Sequence, residues 1–282
     1  MQKVLIIGGD GKIGSSIFNH FSKLPVKLAK TSRRKDFIAQ ETLFFDGGLD
    51  QLATLKSFSP DIVVWALGVS GYSQCKEDID TSFFTNVTIL DKFIDNFPNL
   101  SNFIFFSSTA VFDKHSGNYN VESCTLPTSE YGKQKQKAEF TVQQKVKNYS
   151  ILRLGKVLTP DWPLIEDWTT AIKNRKEIHA FSDLFFSPVL ISSIDQFVEK
   201  IHTTQGTQIY HCTNSKTISY VEMAEKVVSE ISGDLNLIKP KKCNFAEMTD
   251  GGAGNVVLEP STTFRSIHPD PIAIPFQDWF SN

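Results

Sequence analysis

The chain has 282 residues, 40% hydrophobic and 21% charged, enough apolar material for a large buried core in a soluble globular fold. A net charge of −2 excludes the broad basic surface that nucleic acid or an anionic membrane would require. The apolar run in Met1–Gly8 is too short for a signal peptide or membrane span, and the scattered Cys75, Cys124, Cys212 and Cys243 form no CxxC, so reduced cytoplasmic thiols are expected rather than zinc or disulfides.

In chain order, Val4–Ile7 reads as a strand. A helix follows over Ile13–Leu24, with Ile13, Ile17, Phe18, Phe21 and Leu24 at helical spacing and Pro25 as its stop. Strands are predicted at Val26–Ala29 and Thr42–Phe45, a helix over Leu49–Phe58, and a strand over Asp61–Leu67. A long helix spans Asp80–Phe97, with Phe83, Phe84, Val87, Leu90, Phe93 and Ile94 on one side. Phe103–Ser107 is a strand, Glu130–Lys147 a helix and Ile151–Leu154 a strand. Strands that are apolar throughout and alternate with helices imply a parallel sheet covered on both faces, a Rossmann-type doubly wound α/β fold. After Leu154 the rhythm breaks. Helices are expected near Ile165–Lys173, Ile194–His202 and Tyr220–Ile231, with a strand at Gln208–Cys212. The expected division is 1–155 for the nucleotide-binding body and 156–282 mainly for a smaller substrate-binding lobe. Part of 186–215 returns to the body, and the stretch from Lys239 to Asn282 falls in the lobe.

Gly8-Gly-Asp10-Gly11-Lys12-Ile13-Gly14 lies directly between the first strand and the first helix. There Gly8 permits a tight turn, Gly11 lets the backbone approach a pyrophosphate, and Gly14 lets helix and strand pack closely. The free N–H groups and positive dipole end of the helix then face the phosphates. Further on, Tyr131 and Lys135 stand four residues apart in a predicted helix, so they share a face.

The GxxGxxG spacing and the YxxxK pair together resemble the extended short-chain dehydrogenase/reductase family. The resemblance implies a catalytic Tyr131 and Lys135, with Lys135 also holding the nicotinamide ribose. The strand end Ser107-Ser108-Thr109-Ala110-Val111-Phe112 resembles the family's hydroxyl segment. Aligned on Val111 it makes Ser108 the active hydroxyl, 23 residues before Tyr131, with Thr109 as the second candidate. In that chemistry Tyr131 is the general acid or base, and a neighbouring ammonium and nicotinamide lower its phenol pKa from about 10. The resemblance also places Asp46 against the adenine, Ala66-Leu67-Gly68 beneath the cofactor, and Asn86 at a recurrent asparagine position. After the second strand the chain carries Ser32, Arg33 and Arg34 instead of the acidic residue that reads a ribose 2′-OH. Guanidinium groups suit a 2′-phosphate, which favours NADP(H), with NAD(H) as the alternative.

Phe181–Val189, Ile194–Phe197, Gly206–Cys212 and Ile218–Ala224 resemble segments of the dTDP-4-dehydrorhamnose reductase-like branch. That branch implies reduction of a nucleotide-linked 4-keto-6-deoxyhexose for polysaccharide synthesis. A small-molecule partner is expected, with a homodimer compatible. Two segments depart from the branch. Trp65–Ser73 differs from its sugar-contacting segment, and Arg153-Leu-Gly-Lys156 is closer to nucleotide-sugar epimerases. Thr109-Ala110 stands where 4,6-dehydratases carry a carboxylate pair, which argues against dehydration. No metal pattern is evident. The alternatives are an epimerase and a non-catalytic NADP-binding protein on the same scaffold. Lys156, Trp162 and Trp168 are candidates for the sugar-nucleotide pocket, and His179 and His211 read as structural.

Overall fold

The computed structural model describes residues 1–37, 41–113, 117–244, 257–268 and 274. Side-chain alternation along β1 (Lys3–Ile7) explains the layering: Val4 and Ile6 enter one apolar layer, Leu5 and Ile7 the other, and all four are fully buried. The same holds for β4 (Ile62–Trp65) and β5 (Asn102–Ser108). Ile62, Val64, Ile104 and Phe106 face the first layer, and Val63, Trp65, Phe103 and Phe105 the second. A strand apolar on both faces is stable only when sandwiched.

With β2 (Lys27–Ser32), β3 (Thr42–Phe44), β6 (Tyr149–Leu154) and β11 (Thr207–Cys212), these strands form one parallel sheet in the order β3-β2-β1-β4-β5-β6-β11. On the first face lie α1 (Lys12–Phe21) and α8 (Ile191–Ile201); on the second lie α2 (Leu52–Phe58), α5 (Ile89–Asn96) and α6 (Glu130–Lys145). Ile17 and Phe21 of α1 are fully buried, each contributing roughly 1.5–3 kcal/mol. The strand order reverses between β1 and β4. A crevice opens there at the strands' C-terminal ends, where ligands bind in such sheets.

Gly155 ends the sheet body's run, and a smaller set of elements follows. Strand β7 (Lys156–Leu158) pairs with β10 (Pro188–Leu190), β8 (Ile178–Phe181) with β13 (Ile238–Lys241), and β9 (Phe185–Phe186) with β12 (Ile218–Ser219). Helices α7 (Pro163–Lys173) and α9 (Tyr220–Glu230) close a separate core over them that includes Leu158, Trp168, Met223 and Val227. Helix α9 starts on a capping box, in which Ser219 and Glu222 satisfy each other's backbone N–H.

Three features differ from the sequence expectation. The predicted helix Asp80–Phe97 consists of α4 (Ile79–Phe83), a π-helical stretch Phe84–Thr88, and α5. Short α3 (Tyr72–Glu77) and the two- to four-residue strands of the lobe were not foreseen, because segments that short carry no readable period. The stretch after Lys239, expected in the lobe, supplies β13 there, but its described residues 257–268 pack on the large sheet. Phe264 of α10 (Thr262–Arg265) meets the Phe197 ring at 5.1 Å, and Leu258 bridges to Tyr119. Residues 245–256, 269–273 and 275–282 of that stretch lie outside the described residues.

His211 lies on β11 within this body. It is fully buried, and its Nδ1 lies 3.2 Å from the Glu259 carbonyl. Burial, aided by the Arg153 charge, lowers its pKa to about 4. The unfolded chain takes up the proton near pH 6.5, so this group's stabilisation is complete above that pH and is lost as pH falls toward 4. The urea midpoint is therefore expected to drop across that window by the equivalent of about 3 kcal/mol, and His211→Asn should flatten that drop. An unchanged pH profile in the variant would refute the assignment.

Candidate active site

The crevice at the strand-order reversal is a cavity of about 610 Å³. One end is the glycine loop, whose Gly11, Lys12 and Ile13 line the wall. Gly8 has φ +85°, and a Cβ there would lie 2.6 Å from the Leu67 nitrogen. A Cβ on Gly14 would lie 2.3 Å from the Gly8 carbonyl oxygen, so helix and strand pack as closely as the motif requires. Gly11 caps α1 without a side-chain bond, which leaves the helix's first N–H groups open to an anion. Ser107 and Ser187, also in the wall, have buried hydroxyls without a partner among the described residues. A glycine cradle at a helix N-terminus, opening on a cavity whose wall also holds unsatisfied hydroxyls, fits a dinucleotide.

Ala66, Leu67 and Gly68 form the adjoining wall. Asn86 holds that segment in place. Its Oδ1 accepts from the Val69 N–H at 2.7 Å, and its Nδ2 donates to the Val69 carbonyl at 3.0 Å and to Gln134 Oε1 at 2.7 Å. The π-helical turn carries this buried side chain, a placement that regular helix periodicity does not reveal.

The catalytic candidates meet at the centre. Ser108 ends β5, and its Oγ accepts from the Ala110 N–H at 3.2 Å, which starts a 3₁₀ turn that also contains Thr109. Helix α6 is capped by Ser129, whose Oγ accepts from the Gly132 N–H at 3.1 Å. That helix presents Tyr131, Lys135 and Glu139 at successive turns, and all three are buried. A Cβ on Gly132 would come within 2.1 Å of the Ala110 carbonyl oxygen, so the helix seats directly on the Ser108 turn. Lys135 Nζ donates to the Phe106 carbonyl at 2.8 Å. Ser108, Thr109, Tyr131 and Lys135 all line the cavity.

The electrostatics correct one expectation. Burial, reinforced by Tyr72, raises the Tyr131 phenol pKa, and the Ser108 hydrogen bond lowers it by less. Burial also pushes Lys135 down to about 8, against the pull of Glu139. A raised phenol pKa favours the protonated form, as a proton donor requires.

The remaining sequence candidates are spread more widely. Asp10, Ser32, Arg33, Arg34 and Asp46 lie outside the cavity wall. Ser32 Oγ donates to Asp10 Oδ2 at 2.6 Å, and Arg34 Nε lies 3.9 Å from the same carboxylate. Asp46 orders its own loop, accepting from Gln51 at 2.5 Å and from the Gly48 N–H at 3.1 Å. Lys12 reaches Asp161 of the loop before α7 at 2.9 Å, an exposed pair of small energetic weight. Lys156 and Trp162 line the cavity, whereas Trp168 belongs to the lobe core and His179 is exposed on β8. Cys75, Cys212 and Cys243 are buried, but Cys124 is exposed. No group of metal ligands occurs among the described residues, and no helix among them is long and apolar enough to cross a membrane.

Sequence reasoning missed Tyr72, Phe186 and Tyr220 as wall residues. The Tyr72 ring stands edge-on to Tyr131 at 5.4 Å, and burial raises its pKa to about 12. Its only signal was its place in Trp65–Ser73, the segment that departs from the family pattern.

The family model of the RmlD substrate binding domain matches residues 1–249. The fold is similar to that of dTDP-4-dehydrorhamnose reductase from Bacillus anthracis str. Ames in complex with NADP. The TM-score is 0.81 at 17% identity, over 95% of this chain and 93% of that one. A hypothetical dTDP-4-dehydrorhamnose reductase from Sulfolobus tokodaii gives 0.81 at 18%, over 99% of each chain. UDP-glucose 4-epimerase from Thermotoga maritima with UDP-glucose gives 0.78 at 14%, over 94% and 92%. No curated protein matches the sequence. At these identities the structural likenesses establish the fold.

Proposed function

Because the chain belongs to the RmlD substrate binding domain family, we propose that it is an NADP(H)-dependent reductase of a nucleotide-linked 4-keto-6-deoxyhexose. The observation that carries this reading is a buried Tyr131, one helical turn from buried Lys135, in the same cavity as Ser108 and the glycine loop. A bound nicotinamide supplies the hydride. Ser108 orients the substrate carbonyl oxygen by hydrogen bonding. Tyr131 donates its proton to that oxygen as negative charge develops, and Lys135 stabilises the phenolate left behind and holds the nicotinamide ribose. Arg33 and Arg34 are exposed at the end of β2, and guanidinium groups there suit a 2′-phosphate, which supports NADP(H) over NAD(H). The product would feed cytoplasmic steps of polysaccharide assembly. The Arg153-Leu-Gly-Lys156 segment favours a nucleotide-sugar epimerase as the second reading.

A panel of nucleotide-linked 4-keto sugars with NADPH and NADH, followed by loss of reduced-cofactor absorbance, tests the proposal. Oxidation of NADPH in preference to NADH is expected with at least one sugar. Cofactor binding without oxidation by any sugar would sink the reductase reading. Cofactor that stays bound through gel filtration, with interconversion of sugar epimers, would establish the second.

A further inference from the structure

Resting on the nucleotide-sugar reading above, we propose that Lys156, laid over the Trp162 ring, forms the subsite for the substrate's diphosphate. Lys156 sits on β7, fixed in register opposite Pro188, and its N–H donates to the Ser187 carbonyl at 2.9 Å. Its side chain lines the same cavity as Ser108 and Tyr131, from the lobe side. The ammonium lies 4.9 Å from the Trp162 ring centroid, and no carboxylate among the described residues pairs with it. The other two lysines of this wall are already engaged, Lys12 by Asp161 and Lys135 by the Phe106 carbonyl. Burial alone lowers the Lys156 pKa, with no charged side chain offsetting it. Lys156 is exposed to the open cavity, and a cation on its wall with no carboxylate partner among the described residues is placed to meet an anionic ligand.

Geometry selects which anion. The reacting carbonyl must lie against Ser108 and Tyr131, so whatever reaches Lys156 is the rest of the molecule. Beyond it the wall is aromatic, formed by Trp162, Phe186 and Tyr220, which suits a base or sugar face. The diphosphate joins those two parts, and a lysine serves it as a compact point charge. The departure of Arg153-Leu-Gly-Lys156 from the reductase pattern thereby acquires a chemical meaning.

Calorimetric titration of the full chain, saturated with nicotinamide cofactor, tests this with UDP and dTDP against uridine and thymidine. The wild type should bind the diphosphates more tightly than the nucleosides. Lys156→Met should weaken diphosphate binding by roughly 10- to 100-fold and leave nucleoside and cofactor affinity unchanged, while Lys156→Arg retains most of it. Diphosphate binding unaffected by Lys156→Met would overturn the subsite while leaving the functional reading intact. So would a parallel loss of cofactor affinity, which would make the lysine a support of the cavity. A wild type that binds no nucleoside diphosphate would remove the functional reading and the subsite with it.

Discussion

Tyr131→Phe is expected to lower kcat by roughly 10²- to 10⁴-fold while cofactor affinity stays within about twofold. The phenol oxygen is the proton donor in the proposed mechanism, and burial holds the proton on it. Phenylalanine keeps the ring, so the edge-on packing against Tyr72 and the contact with Cys75 and Ala110 survive. The loss should therefore appear in kcat, with little change in thermal midpoint. Single-turnover kinetics with reduced cofactor and fluorescence titration of cofactor binding separate the two effects. Activity retained in the variant would show that another group supplies the proton, with Tyr72 the nearest candidate.

Glu139→Gln is expected to destabilise the protein by about 3–5 kcal/mol, because it strands a buried guanidinium. Arg153 donates to both Glu139 oxygens, through Nε at 3.0 Å and 3.3 Å and through Nη2 at 2.8 Å. Both side chains are almost fully buried, 5% and 4% exposed. A fall in thermal midpoint of roughly 10 °C follows for a chain of this size. Arg153→Met combined with Glu139→Leu should recover much of the loss, since neither charge then remains. A midpoint change below about 2 °C in the single variant would refute the role of the pair.

The same substitution reports on the site. Glu139 lies one helical turn beyond Lys135 and raises its pKa against the effect of burial. Lys135 is charged below a pH of about 8 and loses its proton as pH rises through that value. Cofactor affinity that depends on this ammonium should be full at lower pH and fall above about 8. In Glu139→Gln the fall should begin at a lower pH, and an unshifted profile would uncouple the two residues.

Much of this was readable from the residues. The both-face apolar strands dictate a covered parallel sheet whatever else the chain does, because no other arrangement buries Val4, Leu5, Ile6 and Ile7 together. Gly8, Gly11 and Gly14 stand at fixed offsets between strand and helix, and Tyr131 and Lys135 at one helical turn, so local geometry alone brings out their meaning. The π-helical turn was hidden because one extra residue in a helix alters no composition, yet it places Asn86 against Val69. The lobe strands were hidden because two or three residues show no period.

The sequence by itself determined the sheet, the glycine cradle and the pairing of Tyr131 with Lys135, all of which rest on short-range spacing and on burial that each segment must satisfy. Only the tertiary structure decided the burial of Tyr131, the placing of Lys156 over Trp162 without a carboxylate partner among the described residues, and the aromatic wall around it. Those depend on which distant segments meet around one cavity: Tyr72 from the β4 side, Ser108 from β5, Trp162 and Tyr220 from the lobe. Desolvation and charge pairing are properties of that assembled neighbourhood, and no single stretch of the chain contains them.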